Sequence, residues 1–372
     1  MNAVIISTIG TSLLTQQISR GNSAEKDWYS KLRDTANEKI DKIPEDVVEI
    51  ISTLSQRAKQ KLEKGSIKDI RLASAELNGI YGIYSEDLSQ GRSDMHWLIA
   101  TDTAQGLETA RIVESFLTSK GVTAQVFTPQ NLSTANTSVF STGIDDLIIW
   151  LEDAIKGYGK VCFNLVGGFK SLQAFLNTIG MFYADEIIYI FEGASSELIR
   201  IPRLPIKMDE DIIEPFSCEL ALMAAGGWGT RSQLSDIPEA FLSFAGDDCL
   251  LSNWGRLIWS RTKRRLLSQE LLNFPGLHYE DSFVRDYRST QNVDERVKLQ
   301  EVLAKVSYLL TKGSGNTGIL KGDGGVLYEV YTNQQGIAHF RVTQGIRVSC
   351  TNQDGQLYLR HYGTEPEVNR NP

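Results

Sequence analysis

Residues 3–14 read AVIISTIGTSLL: an apolar run rich in Val and Ile from Ala3 to Ile9, ended by Gly10, Thr11 and Ser12. A strand buried on both faces of a parallel sheet carries such a continuous run, whereas a half-exposed strand alternates. Outward from it, the stretch Glu25 to Lys64 is charged, with apolar residues at helical spacing around Val47, Ile50, Ile51 and Leu54, and predicts two helices. The alternation then repeats. Trp97 to Ala100 reads as a strand leaving through Thr101, Asp102 and Thr103, and Gly106 to Leu117 as an amphipathic helix. Ala124 to Phe127 is a strand, Ile144 to Ile155 a helix and Val161 to Leu165 a strand; after Gly167-Gly168 come a helix, Ser171 to Tyr183, and a strand, Ile187 to Phe191. Strands alternating with helices predict an α/β fold with a doubly wound, mostly parallel, Rossmann-like sheet. Ligands of such sheets sit at the carboxyl ends of the strands.

The texture changes near Ile201, and the expected division is 1–206 as one domain, 207–249 as a connecting segment and 250–372 as a second domain. The second is expected to be a small α+β domain. A helical, basic segment runs from Trp254 to Leu272, followed by a strand at His278 to Tyr287 and a helix from Asp294 to Leu310. Strands then follow at Val326 to Thr332, Ala338 to Thr343, Gly345 to Cys350 and Gln356 to Tyr362, separated by turns such as Asn352, Asp354, Gly355.

The 372 residues carry 38 Lys and Arg against 46 Asp and Glu, but the balance is uneven. From Leu250 onward there are 16 basic against 12 acidic residues, and before it 22 against 34, so a basic tail follows an acidic body. That asymmetry raises the question of nucleic acid. Cys162, Cys218, Cys249 and Cys350 show no metal-type spacing and are too few for a disulfide framework, so reduced thiols are expected. Glu25, Lys26 and Asp27 interrupt any apolar leader, and no membrane span is read; a cytoplasmic location is expected.

Three strand exits carry small polar residues: Gly10-Thr11-Ser12, Thr101-Asp102-Thr103, and Asn164 through Gly167-Gly168-Phe169-Lys170-Ser171. Glycine lets backbone approach a ligand, the following helix start presents N–H groups to an anion, and Lys170 adds a charge. Together they describe a phosphate site. Singly, each is also what any parallel sheet needs at its turns. At these strand exits neither the Walker spacing nor GxGxxG is present, which argues against triphosphate and dinucleotide binding there.

With VIISTIGTSLL at 4–14, NLVGGFKS at 164–171 and IIYIFEGASSELIRIPRLPI at 187–206, the chain resembles the CRISPR-associated Rossmann fold (CARF) sensor family. The resemblance implies a homodimer that holds a cyclic oligoadenylate on its two-fold axis, with the tetra-adenylate favoured over the hexa-adenylate. It implies that Gly10, Thr11 and Ser12 touch ribose and phosphate, that Gly167, Gly168 and Lys170 hold phosphates, and that Thr101 and Thr103 line the adenine pocket. Val166 stands where relatives carry Thr.

The tail lacks the Arg-to-His spacing of HEPN ribonucleases and the Glu-x-Lys or Asp-x-Lys of restriction-type metal nucleases. Counting by twos instead puts His339, Arg341, Arg347, Tyr358, Arg360 and Tyr362 on one polar face, with His361 on the apolar parity. Such a face could equally be the solvated side of an ordinary sheet. GIAHFRVTQGIRVSC at 336–350 and LYLRHYG at 357–363, after two helical segments, resemble the RelE superfamily of ribosome-dependent messenger ribonucleases. That resemblance implies metal-free cleavage without a cofactor: a base takes the 2′-hydroxyl proton, arginines stabilise the added charge and an acid protonates the leaving oxygen. Arg341, Arg347 and Arg360 would be the charge stabilisers, His339 or His361 the acid or base, and Tyr362 a supporting donor. Ring, messenger RNA and ribosome are thus the expected partners. The alternatives are a ligand-controlled regulator that only binds nucleic acid or protein, and a ribonuclease that needs no ribosome.

Overall fold

The structure, a computed structural model, describes the chain except residues 1, 20, 131, 134–135, 191–196, 207–209, 333 and 335. It has two compact units, Met1–Lys207 and Met208–Pro372. Among the described residues no helix is long and apolar enough to cross a membrane, and the four cysteines are unpaired.

The first unit is built on a six-stranded sheet of β1 (Ala3–Thr8), β2 (Met95–Ile99), β3 (Thr123–Phe127), β4 (Lys160–Asn164), β5 (Glu186–Ile190) and β6 (Leu198–Pro202), in the order β3-β2-β1-β4-β5-β6. All neighbours pair in parallel except β5 and β6. The opening run is the sheet's interior: Val4, Ile5 and Ile6 are buried with β2 on one side and β4 on the other. The α/β expectation therefore holds, with a mostly parallel sheet. Chain order runs outward from β1 through β2 to β3 and then returns to β4 on β1's other side, which makes the gap between β1 and β4 the topological switch point.

Among this unit's described elements of five residues or more, three were not expected. Helices Ile67–Ala73 and Ala75–Ile83 lie between the two predicted helical stretches and β2. The second carries Gly79 and Gly82, which blur its apolar pattern but have a packing reason. A β-carbon on Gly79 would lie 2.1 Å from Asn164 Oδ1, so the helix approaches the end of β4 closely. β6 is an edge strand ending in Pro202, where a missing N–H loses no ladder bond. The motif residues 191–196 lie outside the described residues.

The second unit has a three-stranded sheet, β7 (Gly229–Thr230), β8 (Leu242–Ala245) and β9 (Asp248–Leu251). Its five-stranded sheet comprises β10 (Leu277–Tyr279), β11 (Glu329–Val330), β12 (Ile337–Arg341), β13 (Ile346–Gln353) and β14 (Gln356–Thr364), in the order β10-β14-β13-β12-β11. The stretch expected as a connector belongs to this unit's fold: Ile213, Leu220, Met223, Leu242 and Cys249 are in its core. The strand expected at His278–Tyr287 is mostly a helix, Asp281–Ser289, because Phe283 and Tyr287 stand four apart and are both buried. A further helix, Glu365–Arg370, follows β14.

The polar face of this sheet differs from the count by twos. Pairing of β13 with β14 slips where Ser349 faces His361 and Cys350 faces Leu359, leaving Arg360 as an extra residue. The bulge reverses the parity beyond it. Tyr362 turns into the buried face, 5% exposed, and His361 joins the polar face in one row with Ser349 and His339.

Candidate functional site

In the first unit the exits of β1 and β4 meet at the switch point. A β-carbon on Gly10 would lie 2.8 Å from the Gly168 nitrogen, and Gly168 itself has φ of 99°, the left-handed region that favours glycine. The Thr8 hydroxyl donates to the Gly167 carbonyl, and Gln173 Nε2 donates to the carbonyls of Leu165 and Gly167 at 3.0 and 2.9 Å. Gly10, Gly167 and Gly168 are thus brought together, with Lys170 exposed at the first position of helix Lys170–Tyr183. The Ser12 hydroxyl is buried without a partner among the described residues.

A residue missed in the sequence sits at the centre. Glu76, fully buried, accepts the Gly10 N–H at 2.7 Å through Oε1 and the Ser74 hydroxyl at 2.7 Å through Oε2. A β-carbon on Gly167 would lie 2.1 Å from the same Oε1. Asn164, also fully buried, donates through Nδ2 to Ser7 Oγ and to the Glu76 carbonyl, both at 3.1 Å. The carboxylate therefore takes up the Gly10 N–H and packs between the two turns. Its sequence signal was faint: one acid among the apolar positions Leu77, Ile80 and Tyr81. Thr101 and Thr103 are buried as well. Their hydroxyls are 3.0 Å apart, and Thr103 accepts the Gly106 N–H at 3.2 Å as the N-cap of helix Ala104–Ser119. Capping accounts for Thr103 without a ligand, and Thr101 bonds to the cap.

In the second unit the predicted residues divide. Arg347 is only 4% exposed: Nη1 donates to the carbonyls of Thr343, Gln344 and Ile346 at 3.0–3.2 Å, and Nη2 to Glu365 Oε2 at 3.1 Å. It ties a turn and a helix together. Arg341 is its cross-strand partner, with Nε buried and unpartnered among the described residues. Arg360, on the bulge, has Nε 3.8 Å from Glu280. Of the three arginines, Arg347 is the one held by the fold itself. His339 packs on the Tyr331 ring with centroids 4.6 Å apart and lies 3.8 Å from Glu329. Burial, helped by nearby Arg347 and Arg341, holds it below the usual imidazole range against Glu329.

His361 and Tyr362 line a cavity of about 390 Å³ with Asp286, Glu295, Glu367 and Asn371. Asp286 Oδ2 is 3.0 Å from His361 Nδ1 and accepts the Tyr362 N–H at 3.1 Å. It is available because β10 ends at Tyr279, leaving the far half of β14 an open edge that helix Asp281–Ser289 covers. In the neutral ring the partner choice selects the tautomer: Nδ1 carries the proton towards Asp286, and Nε2, 3.3 Å from Asn371 Nδ2, has the lone pair. Tyr362 donates to Glu295 at 2.8 Å, and burial with this carboxylate raises its phenol above the ordinary range.

Residues 71–204 match the family model of a CRISPR-associated protein (Cas_APE2256). The matched span is about a third of the chain; it holds Glu76, Asn164, Gly167, Gly168 and Lys170 and indicates a CRISPR-associated role. β1 and the turn after it precede the span, and the second unit follows it. No curated protein matches the chain.

Chemically the two sites differ. The first offers closely packed glycine backbone and an exposed cation at a switch point, a setting for an anionic ligand. The second offers an imidazole oriented by a carboxylate, with its basic nitrogen turned to a cavity, a setting for proton transfer.

Proposed function

We propose that the chain is a CRISPR-associated sensor and effector: as a homodimer its first unit binds a cyclic oligoadenylate, the tetra-adenylate by preference, and its second unit then cleaves messenger RNA on the ribosome. The observation that carries this reading is the meeting of Gly10 with Gly167 and Gly168 at the switch point, in a unit whose span 71–204 is similar to a CRISPR-associated family. A two-fold symmetric ring suits an isologous dimer. Gly167, Gly168 and Lys170 meet phosphate in this reading. Gly10 shapes the turn, since its N–H is held by Glu76.

For the effector, His361 Nε2 takes the proton of a 2′-hydroxyl, whose oxygen attacks the adjacent phosphorus. A 2′,3′-cyclic phosphate forms as the bond to the 5′-oxygen breaks, and His339, in its protonated form, which burial disfavours, supplies the proton to that oxygen. Arg341 and Arg360 stabilise the charge that develops, while Asp286 orients His361. No cofactor enters. The cavity is itself acidic, through Asp286, Glu295 and Glu367, so naked RNA is not drawn to it and the ribosome supplies the substrate's alignment.

A second reading, a regulator that binds nucleic acid without cutting it, is favoured by one observation: Arg347 is spent on three carbonyls and a carboxylate. Cleavage of messenger RNA with and without ring, and with and without translating ribosomes, separates these. Cleavage that needs both supports the first reading; ring-dependent cleavage of free RNA supports a ribosome-independent ribonuclease; RNA binding without cleavage supports the regulator.

A further inference from the structure

The polar face of the five-stranded sheet is partly covered by the helix that follows it. Glu367 accepts both the N–H and the hydroxyl of Thr364, fixing the start of helix Glu365–Arg370, and Val368, 2% exposed, anchors it. From there the segment reaches three places on the sheet. Glu365 takes Arg347 on β13, and Asn369 accepts the Tyr331 hydroxyl at 2.6 Å, just beyond β11. Asn371 Nδ2 lies 3.3 Å from His361 Nε2 on β14. Tyr331 in turn packs on His339. The contacts of Glu365, Asn369 and Asn371 thus join the segment to the candidate ribonuclease face or its immediate neighbours.

A helix of six residues does not hold itself together in water, so these tethers set its position. Glu365 and Glu367 are at the surface, where such contacts are individually weak. One tether also occupies what catalysis needs: the His361 Nε2 lone pair faces the Asn371 amide donor. The geometry points to segment 364–371 as a lid on the candidate ribonuclease site, closed here and opening before RNA is cut. Its consequence for cleavage rests on the ribonuclease reading above; the covering of His361 does not.

The test uses the full chain. Diethyl pyrocarbonate modifies unprotonated imidazole nitrogen, and peptide mass spectrometry reads each histidine, with the exposed His278 as internal reference. In a Glu367→Ala/Val368→Ala variant, which loses the start and the anchor of the helix, His361 is expected to react about tenfold faster while His278 is unchanged. Asn371→Ala, which leaves the helix intact, is expected to accelerate His361 by a factor of a few and keeps the question open if the double variant fails to fold. Ring-free RNA cleavage by the double variant is expected to rise by about the same tenfold. An unchanged His361 rate in both variants overturns the lid, whatever RNA does. Faster modification with no rise in ring-free cleavage, where ring still activates, overturns its control of the site. Faster modification in a chain that never cuts RNA supports the cover and overturns the ribonuclease reading instead.

Discussion

His96 gives the sharpest quantitative prediction. It lies on β2, fully buried, with Nε2 2.9 Å from the Tyr84 hydroxyl, which is itself 3.0 Å from Asp94 Oδ2. Tyr84 has one proton and gives it to the carboxylate, so Nε2–H donates to the Tyr84 oxygen and Nδ1 is left buried, without a partner among the described residues. A proton added at Nδ1 would be a charge with nothing to meet it. Burial therefore lowers the imidazole from 6.5 to about 4, with Asp94 pulling weakly the other way. Below 6.5 the unfolded chain binds this proton and the folded chain does not, until the pH nears 4. Stability is thus full above 6.5 and falls as the pH drops through that window, by about 3 kcal/mol in all. Urea unfolding followed by hydrogen exchange of peptides covering β2, between pH 7.5 and 4.5, measures it. The His96→Gln variant keeps a donor for Tyr84 and loses the titration. Carboxylates held low, such as Asp69 and Asp87, titrate in both proteins and cancel in the difference. The wild type should lose about 2–3 kcal/mol more than the variant over that range. Parallel pH profiles would refute the reasoning.

Gly167→Ala should lower the first unit's stability by about 1–3 kcal/mol in thermal melts, because the new carbon meets the Glu76 carboxylate; Glu76→Ala in the same chain should then cost less than the two changes added separately. Arg347→Lys cannot reproduce the fork across three carbonyls and should destabilise the second unit by about 2 kcal/mol in urea, where a purely catalytic arginine would leave stability alone. Asp286→Asn should lower single-turnover RNA cleavage by between about 10²- and 10⁴-fold, because it no longer holds the proton on His361 Nδ1, with little change in RNA binding.

The parallel sheet was legible because its strands are buried on both faces, and continuous apolar runs such as Ala3 to Ile9 have few other readings. The turns Gly10 and Gly167-Gly168 were legible for a related reason: only glycine tolerates the approach the backbone makes there. Glu76 was not, since its meaning depends on a partner 66 residues away at Gly10. Thr101 and Thr103 carried the right chemistry for a ligand, but Thr103 serves a helix cap, which a strand exit needs in any case, and Thr101 bonds to it. In the second unit, counting by twos succeeded along β12 and failed past Arg360, because a bulge is invisible to a periodicity of two. That one inserted residue exchanged the places of His361 and Tyr362. The helix Asp281–Ser289 was hidden by its short length beside true strand residues, and with it Asp286, the partner that gives His361 its orientation.

In the proposed function a ring bound at the first unit controls cutting by the second. The rate of messenger RNA cleavage by the full chain on translating ribosomes, with and without cyclic tetra-adenylate, in wild type and Lys170→Glu, tests it most directly. The expected result is a low rate without ring, a clear rise with it in the wild type, and in Lys170→Glu the same low rate under both conditions. Equal wild-type rates with and without ring, or full activation of Lys170→Glu at the same ring concentration, would contradict it.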